Sequence, residues 1–295
     1  MSGELLAVFA ALAYGVAGVS IVQSKATARG DNGVFLSVVL TALLSCALWL
    51  GWGTVEVAAL ATPAGRIGLA VFALAGVFSN VLGRQSMYRA TERIGAVRAG
   101  LLRRLTPLFA LPCAFLVLGE VPGGLTLAGG GLVLAGVLFY MRPSTGTVAA
   151  APAAGLLLGI LSPLAYALAY TLRGLGLDFA PDAALGTCVG ALVGGVWVLG
   201  AAVLRKGLGR GVSFVTVDRG AGHWLTALAL SAGQLLQFFA LKAAPVVSVA
   251  MLGTLEVVFS ALIVVGVTRG ETVAITRLVI AALLAMAGTA LLFQT

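Results

Sequence analysis

Two adjacent arginines, Arg103 and Arg104, stand inside an apolar run of this 295-residue chain. Counted from Ile94 at ~1.5 Å per helical residue, both lie about 14–15 Å deep, near the middle of a bilayer. An arginine alone at that depth costs at least ~2.5–3.5 kcal/mol, so it must face a partner or water. Guanidinium forks are suited to carboxylate and phosphate groups. Neighbouring side chains on a helix point ~100° apart, so one of the two can face a ligand while the other is structural. Glu256 is the carboxylate expected at the same depth, ten residues into another apolar run. It can pair with the arginines, or carry a proton, because burial raises a carboxylate toward the working pH range. Two roles stay open for the arginines: ligands for an anion, or halves of a buried ion pair with Glu256. An ion pair that yields to a competing anion would combine the two.

Other polar residues fall in apolar runs where they can share that depth. Arg84, Gln234 and Gln237 are candidates to line a cavity, the two glutamines sharing one helix face at i and i+3. They can equally bridge helices. Tyr14, Tyr166 and Tyr170 are further candidates, although tyrosines also serve as interfacial anchors. Pro107, Pro112 and Pro163 are expected to kink their helices; Pro107 and Pro112 should leave the carbonyls of Arg103 and Leu108 without their usual donors. His223, at the edge of a run, is expected in solvent. Cys46, Cys113 and Cys188 fall in separate runs with no CxxC or His/Cys grouping, so neither a metal site nor a disulfide framework is indicated. The chain has no HExxH, nucleophile-and-base constellation or Walker motif, which argues against an enzyme and against direct use of ATP. No cofactor is expected.

The elements that must hold these residues follow from composition. Hydrophobic residues make up 60% of the chain and charged residues 9%, with mean hydropathy +1.10; soluble domains carry about 25% charged residues. The net charge of +8 is scattered, with no basic segment able to form a nucleic-acid groove. Ten apolar runs, at 5–22, 34–52, 67–90, 94–118, 125–141, 152–172, 183–204, 224–241, 246–267 and 278–293, predict ten transmembrane helices. The last is expected to begin near Val273. The first run is too long for a signal-peptide core and reads as a retained span. Connections at 91–93 and 243–245 predict tight hairpins, and the longest connection, 205–223, leaves no room for an extramembrane domain. Gly186, Gly190 and Gly194 form a close-packing face.

Loops after odd-numbered spans hold ten basic residues (Lys25, Arg29, Arg89, Arg93, Arg142, Arg205, Lys206, Arg210, Arg219, Arg269) against three on the other side (Arg66, Arg173, Lys242). Basic loops face the cytoplasm, so both termini are expected outside it.

The two halves repeat at an offset of about 150 residues. Ala13-Tyr14-Gly15 answers Ala165-Tyr166-Ala167. Leu102–Phe109, ending at Gly119-Glu120, answers Leu252–Phe259, ending at Gly270-Glu271; Gly136 answers Gly288. Five spans per half is odd, so the halves, residues 1–145 and 150–295, should be inverted relative to each other, an arrangement typical of transporters. The expected fold is all-α integral membrane: ten transmembrane helices as two inverted five-helix repeats around a central cavity.

With a proline thirteen residues before Gly-Glu, a Gly-rich helix after it and the block duplicated, the chain resembles the EamA branch of the drug/metabolite transporter superfamily. Val257 stands where the second repeat of that family commonly has proline, and the span-4 arginines lie outside its general motif. The resemblance implies alternating access and export of amino acids, drugs or other metabolites; relatives exchange sugar phosphates or nucleotide sugars. It marks Glu120 and Glu271 as structural. Together these readings give a secondary transporter of a small anionic or zwitterionic metabolite, such as an amino acid or phosphorylated compound. The alternatives are an exporter of apolar or cationic drugs, or a membrane scaffold or sensor. Its partners would be a small-molecule substrate and membrane lipids, with coupling to protons or a counter-substrate open to it, in a bacterial cytoplasmic membrane.

Overall fold

The computed structural model describes residues 2–103, 105–140, 152–264, 266 and 275–294. Continuous apolar sequence with every backbone group needing an internal partner dictates helices, and the described chain is helical. Its α-helices are α1 (Gly3–Lys25), α2 (Val34–Trp52), α3 (Pro63–Gly76), α4 (Arg84–Arg103), α5 (Thr106–Leu118), α6 (Gly124–Tyr140), α7 (Ala153–Phe179), α8 (Ala183–Lys206), α9 (Leu208–Thr216), α10 (Ala221–Ala243), α11 (Val246–Leu252), α12 (Glu256–Ile263) and α13 (Ile275–Leu292). Seven stretches are long and apolar enough to cross a membrane, and three shorter apolar helices accompany them. The chain is an integral, multi-pass membrane protein.

Helix α1 packs along α10, α7 along α3 and α4, α2 against α8, and α6 against α13. The glycine face of α8 is used as expected: Gly190 meets Gly76 backbone to backbone, and Gly186 lies against Phe72 and Phe238.

Three features differ from expectation. Residues 91–93 are helical, so the turn expected at those residues lies further along the chain. Contacts along α7 run Gly68 to Ala180, Phe72 to Gly176 and Ile94 to Gly155, then return as Leu102 to Gly159 and Leu118 to Gly174. Ser162 donates to the Gly83 carbonyl at 3.1 Å. A straight helix would separate Gly83 from Leu102 by ~28 Å, yet both lie against neighbouring turns of α7, so the chain reverses between Ile94 and Leu102. The charged Thr91-Glu92-Arg93 is compatible with helix, and charge alone did not mark the turn. Second, the 205–223 connection contains α9, which starts after Gly207 turns the chain at φ 79°. Third, α7 extends to Phe179 and takes in Arg173, which composition had placed in a loop. The expected start of the last span, Val273, lies outside the described residues, as do Arg104, Arg142, Arg269 and Glu271.

The connections are tied by carboxylates. Asp218 accepts the backbone N–H groups of Arg29 (2.7 Å), Gly30 (3.0 Å) and Asn32 (2.7 Å). Asp182 accepts those of Thr54 (2.6 Å) and Leu185 (2.8 Å). Asp31 caps α2 through Gly33 (3.0 Å) and Phe35 (2.8 Å), and burial pushes its carboxyl up to about 7.

Candidate functional site

Two helix breaks meet at the centre. Helix α4 ends at Arg103 and α5 begins at Thr106, with Pro107 in its first turn, where its missing N–H costs nothing. Opposite, α11 gives way to a single 3₁₀ turn, Gly253–Leu255, before α12 begins at Glu256. Arg103 therefore sits in the last turn of one helix and Glu256 in the first turn of another, each where the helix dipole favours its charge. Arg103 Nη1 donates to Glu256 Oε1 at 2.8 Å, with the two side chains 12% and 8% exposed. The Arg103 carbonyl, expected free, accepts the Thr106 hydroxyl at 2.7 Å: Thr106 replaces the donor that Pro107 lacks. Pro112 and Pro163 lie inside α5 and α7.

Aromatic and amide side chains close around this pair. The Arg103 guanidinium lies 5.8 Å from the ring centre of Tyr14 on α1 and 5.4 Å from that of Tyr166 on α7, within cation–π range. Tyr14 donates to Gln237 Oε1 at 3.1 Å, and Gln237 Nε2 donates to the Tyr170 hydroxyl at 2.7 Å. Gln237 thus joins α1, α7 and α10. Arg84 donates to Ser37 at 2.9 Å and to Gln234. A π-helical segment, Val77–Gly83, immediately precedes Arg84; such segments recur at functional sites. The wider turn buries Asn80, whose amide donates to the Gly190 carbonyl at 2.9 Å.

The sequence-derived set of Arg84, Arg103, Gln234, Gln237, Glu256, Tyr14, Tyr166 and Tyr170 therefore gathers in one buried region of the fold. Several further residues belong to the description that sequence reasoning did not supply or read otherwise. Arg173 is 2% exposed; it donates to Gln237 at 3.4 Å and lies 4.9 Å from the Phe238 ring centre. The polar flank of span 6 concealed it. Ser37, on α2, had no signal beyond being a serine in an apolar run. His223, expected in solvent, is buried at the start of α10 beside Gly33, because the turn before α2 folds over it. Glu120 accepts the Val246 N–H at 3.1 Å and so caps α11.

The centre is tightly closed. Tyr14, Arg103, Thr106, Tyr170, Gln237 and Glu256 line a cavity of about 20 Å³, room for little more than one water. A second cavity, about 490 Å³, lies beside Lys25, Asp31, Tyr88, Arg89, Glu92 and Arg205. Tyr88 stands one turn beyond Arg84 on α4 and forms part of its wall. No cluster of metal-binding side chains occurs among the described residues.

Apolar spans surrounding a buried, charged, hydrogen-bonded centre define a multi-pass membrane protein with a polar site in its interior. Residues 1–142 match the EamA-like transporter family. The family so matched is one of transporters. A solved crystal structure at 18% identity aligns with 98% of this chain and 95% of its own, with TM-score 0.71. At that identity the likeness concerns the fold, and it extends through the half of the chain beyond the family match. No curated protein matches.

Proposed function

We propose that this chain moves a small anionic or zwitterionic metabolite, such as an amino acid or a phosphorylated compound, by alternating access. The observation that carries the reading is the Arg103–Glu256 pair at the junction of two broken helices. Broken helices at mid-depth present helix ends and polar side chains to a substrate while the rest of the backbone stays satisfied. An incoming anion competes with Glu256 for Arg103, so binding releases one helix break from the other. Glu256, once displaced, is the carboxylate that can take up a proton if transport is proton-coupled.

The inverted-repeat reading, with units 1–145 and 150–295, is supported by matched contacts. A Cβ on Gly83 would lie 3.2 Å from the Tyr166 ring, and one on Gly233 would lie 2.9 Å from the Tyr14 ring. Gly136 packs on Ala281, and Gly288 packs on Gly129. Each contact is the other's counterpart when the halves are exchanged. Arg84 and Gln234 occupy equivalent places and bond to each other.

The basic loops favour a cytoplasmic location for the 490 Å³ cavity, since Lys25, Arg89 and Arg205 border it. The burial of Arg173 sharpens that bias by removing one charge from the opposite count. Both termini are then extracytoplasmic. Buried cations at the centre weigh against a cationic drug as substrate.

The test is uptake by purified protein in liposomes of labelled amino acids, phosphorylated metabolites and organic cations. Saturable flux of an anion or zwitterion, abolished by excess unlabelled substrate, is expected. Flux confined to organic cations, or none for any class, contradicts the proposal.

A further inference from the structure

Arg173 changes the charge balance of the centre. Among the described residues this region holds three guanidinium groups, Arg84, Arg103 and Arg173, and only Arg103 makes an ion pair. Arg84 and Arg173, each 2% exposed, meet neutral partners: Ser37 and Gln234 for one, Gln237 and the faces of Phe238 and Tyr170 for the other. Aromatic faces and amide oxygens offset only part of the cost of a buried cation. Beside Arg84, the Gln234 Nε2 group is buried without an acceptor. Among the described residues, three cations and one carboxylate leave two positive charges and an unused donor here.

The three groups belong to one network. Gln237 accepts from both Arg173 and Tyr14, and the Tyr14 ring faces Arg103. Arg84 reaches the same helix, α10, one turn away through Gln234. A zwitterion entering here leaves both excess charges in place, and a monoanion leaves one. A doubly charged group balances them. Three forks supplied by α4 and α7 suit an anion with acceptors on several sides, as in a tetrahedral phosphate.

We propose that Arg84, Arg103 and Arg173 cradle a small dianion, a phosphate monoester in its doubly ionised form, with Arg173 a direct ligand. This rests on the transport reading above and narrows its substrate class. The dianion parts α4, α7 and α10 enough to enter, takes Arg103 from Glu256 and supplies the acceptor that Gln234 lacks.

The experiment compares binding of glycerol phosphate and glycerol sulfate to the purified full-length protein by titration calorimetry between pH 5 and pH 7.5. The esters share a tetrahedral head, but the sulfate keeps one charge throughout, whereas the phosphate gains its second charge near pH 6. At pH 7.5 the phosphate ester should bind at least about tenfold more tightly, and its advantage should shrink about fivefold from pH 6 to pH 5 as the dianion disappears. The sulfate profile reports the protein's own titration. Arg173→Gln should lower phosphate-ester affinity about tenfold and spare the sulfate ester, while Arg173→Lys should retain most of the preference. If Arg173→Gln does not fold, the pH profile of the unaltered protein decides. Equal affinity for the two esters at every pH overturns the dianion cradle and leaves anion transport standing. Equal loss of both esters in Arg173→Gln overturns Arg173 as the source of selectivity. No binding of either ester, together with saturable flux of an amino acid, also overturns the cradle alone; failure of all anion flux overturns both proposals.

Discussion

The faces and the centre of this protein use charge in opposite ways. At the faces, carboxylates hold backbone: Asp218 accepts three N–H groups from the turn before α2, and Asp182 ties the α2–α3 connection to the start of α8. Those donors are fixed by the chain itself. In the centre, guanidinium groups meet side chains that can turn away: a glutamate, two glutamines and the faces of tyrosines. The faces are therefore built to stay joined within a conformation, while the centre is built to exchange one partner for another.

Removing a charge should separate the two kinds of region. The largest effect is expected for Glu256→Ala, which leaves Arg103 buried beside no described carboxylate. Breaking a buried pair from one side costs about 3–5 kcal/mol, and a thermal-unfolding midpoint close to that of the unaltered protein would show that the pair carries no structural weight. Asp218→Ala comes next, at about 1.5–3 kcal/mol for lost hydrogen bonds to a charged acceptor. Unlike a change at the centre, it should leave the affinity of the folded protein for its substrate unchanged; a matching loss of affinity would erase the distinction drawn here.

The smallest effect is in pH. Burial raises the Asp31 carboxyl from its ordinary value to about 7, so the folded protein holds that proton more tightly than the unfolded chain does. Stability from this group is greatest at low pH and falls as pH rises toward about 7, levelling off above it. Asp31→Asn should flatten that part of the curve, read as the difference in unfolding midpoint between pH 5.5 and pH 8. An unchanged slope in the variant would assign the titration elsewhere.

Much of the centre was legible in the sequence because polar residues in apolar runs are expensive and therefore informative. Arg103 and Glu256 were expected at one depth from their distance into their runs, and they touch. Tyr14, Tyr166, Arg84 and Gln234 were singled out by their equivalent places in two similar halves. The pattern failed where cost and position did not coincide. Arg173 follows the predicted end of span 6, where a charge reads as a loop, and only the continuation of α7 to Phe179 places it inside. The reversal between Ile94 and Leu102 left no turn residues at 91–93 to mark it. The π-helical segment before Arg84 and the Thr106 hydroxyl on the Arg103 carbonyl are choices of backbone geometry that residue type does not announce.

The central claim, that the buried arginines exchange Glu256 for substrate, is tested most directly by Arg103→Gln. The measurement pairs substrate affinity with thermal stability in the same purified preparation. The account predicts that affinity for an anionic substrate falls by about one to two decades, the equivalent of roughly 1.5–3 kcal/mol for a lost charged hydrogen bond. Unaltered affinity in a protein that is merely less stable, with stability restored when Glu256→Gln is added, would contradict it and leave Arg103 and Glu256 as a structural pair.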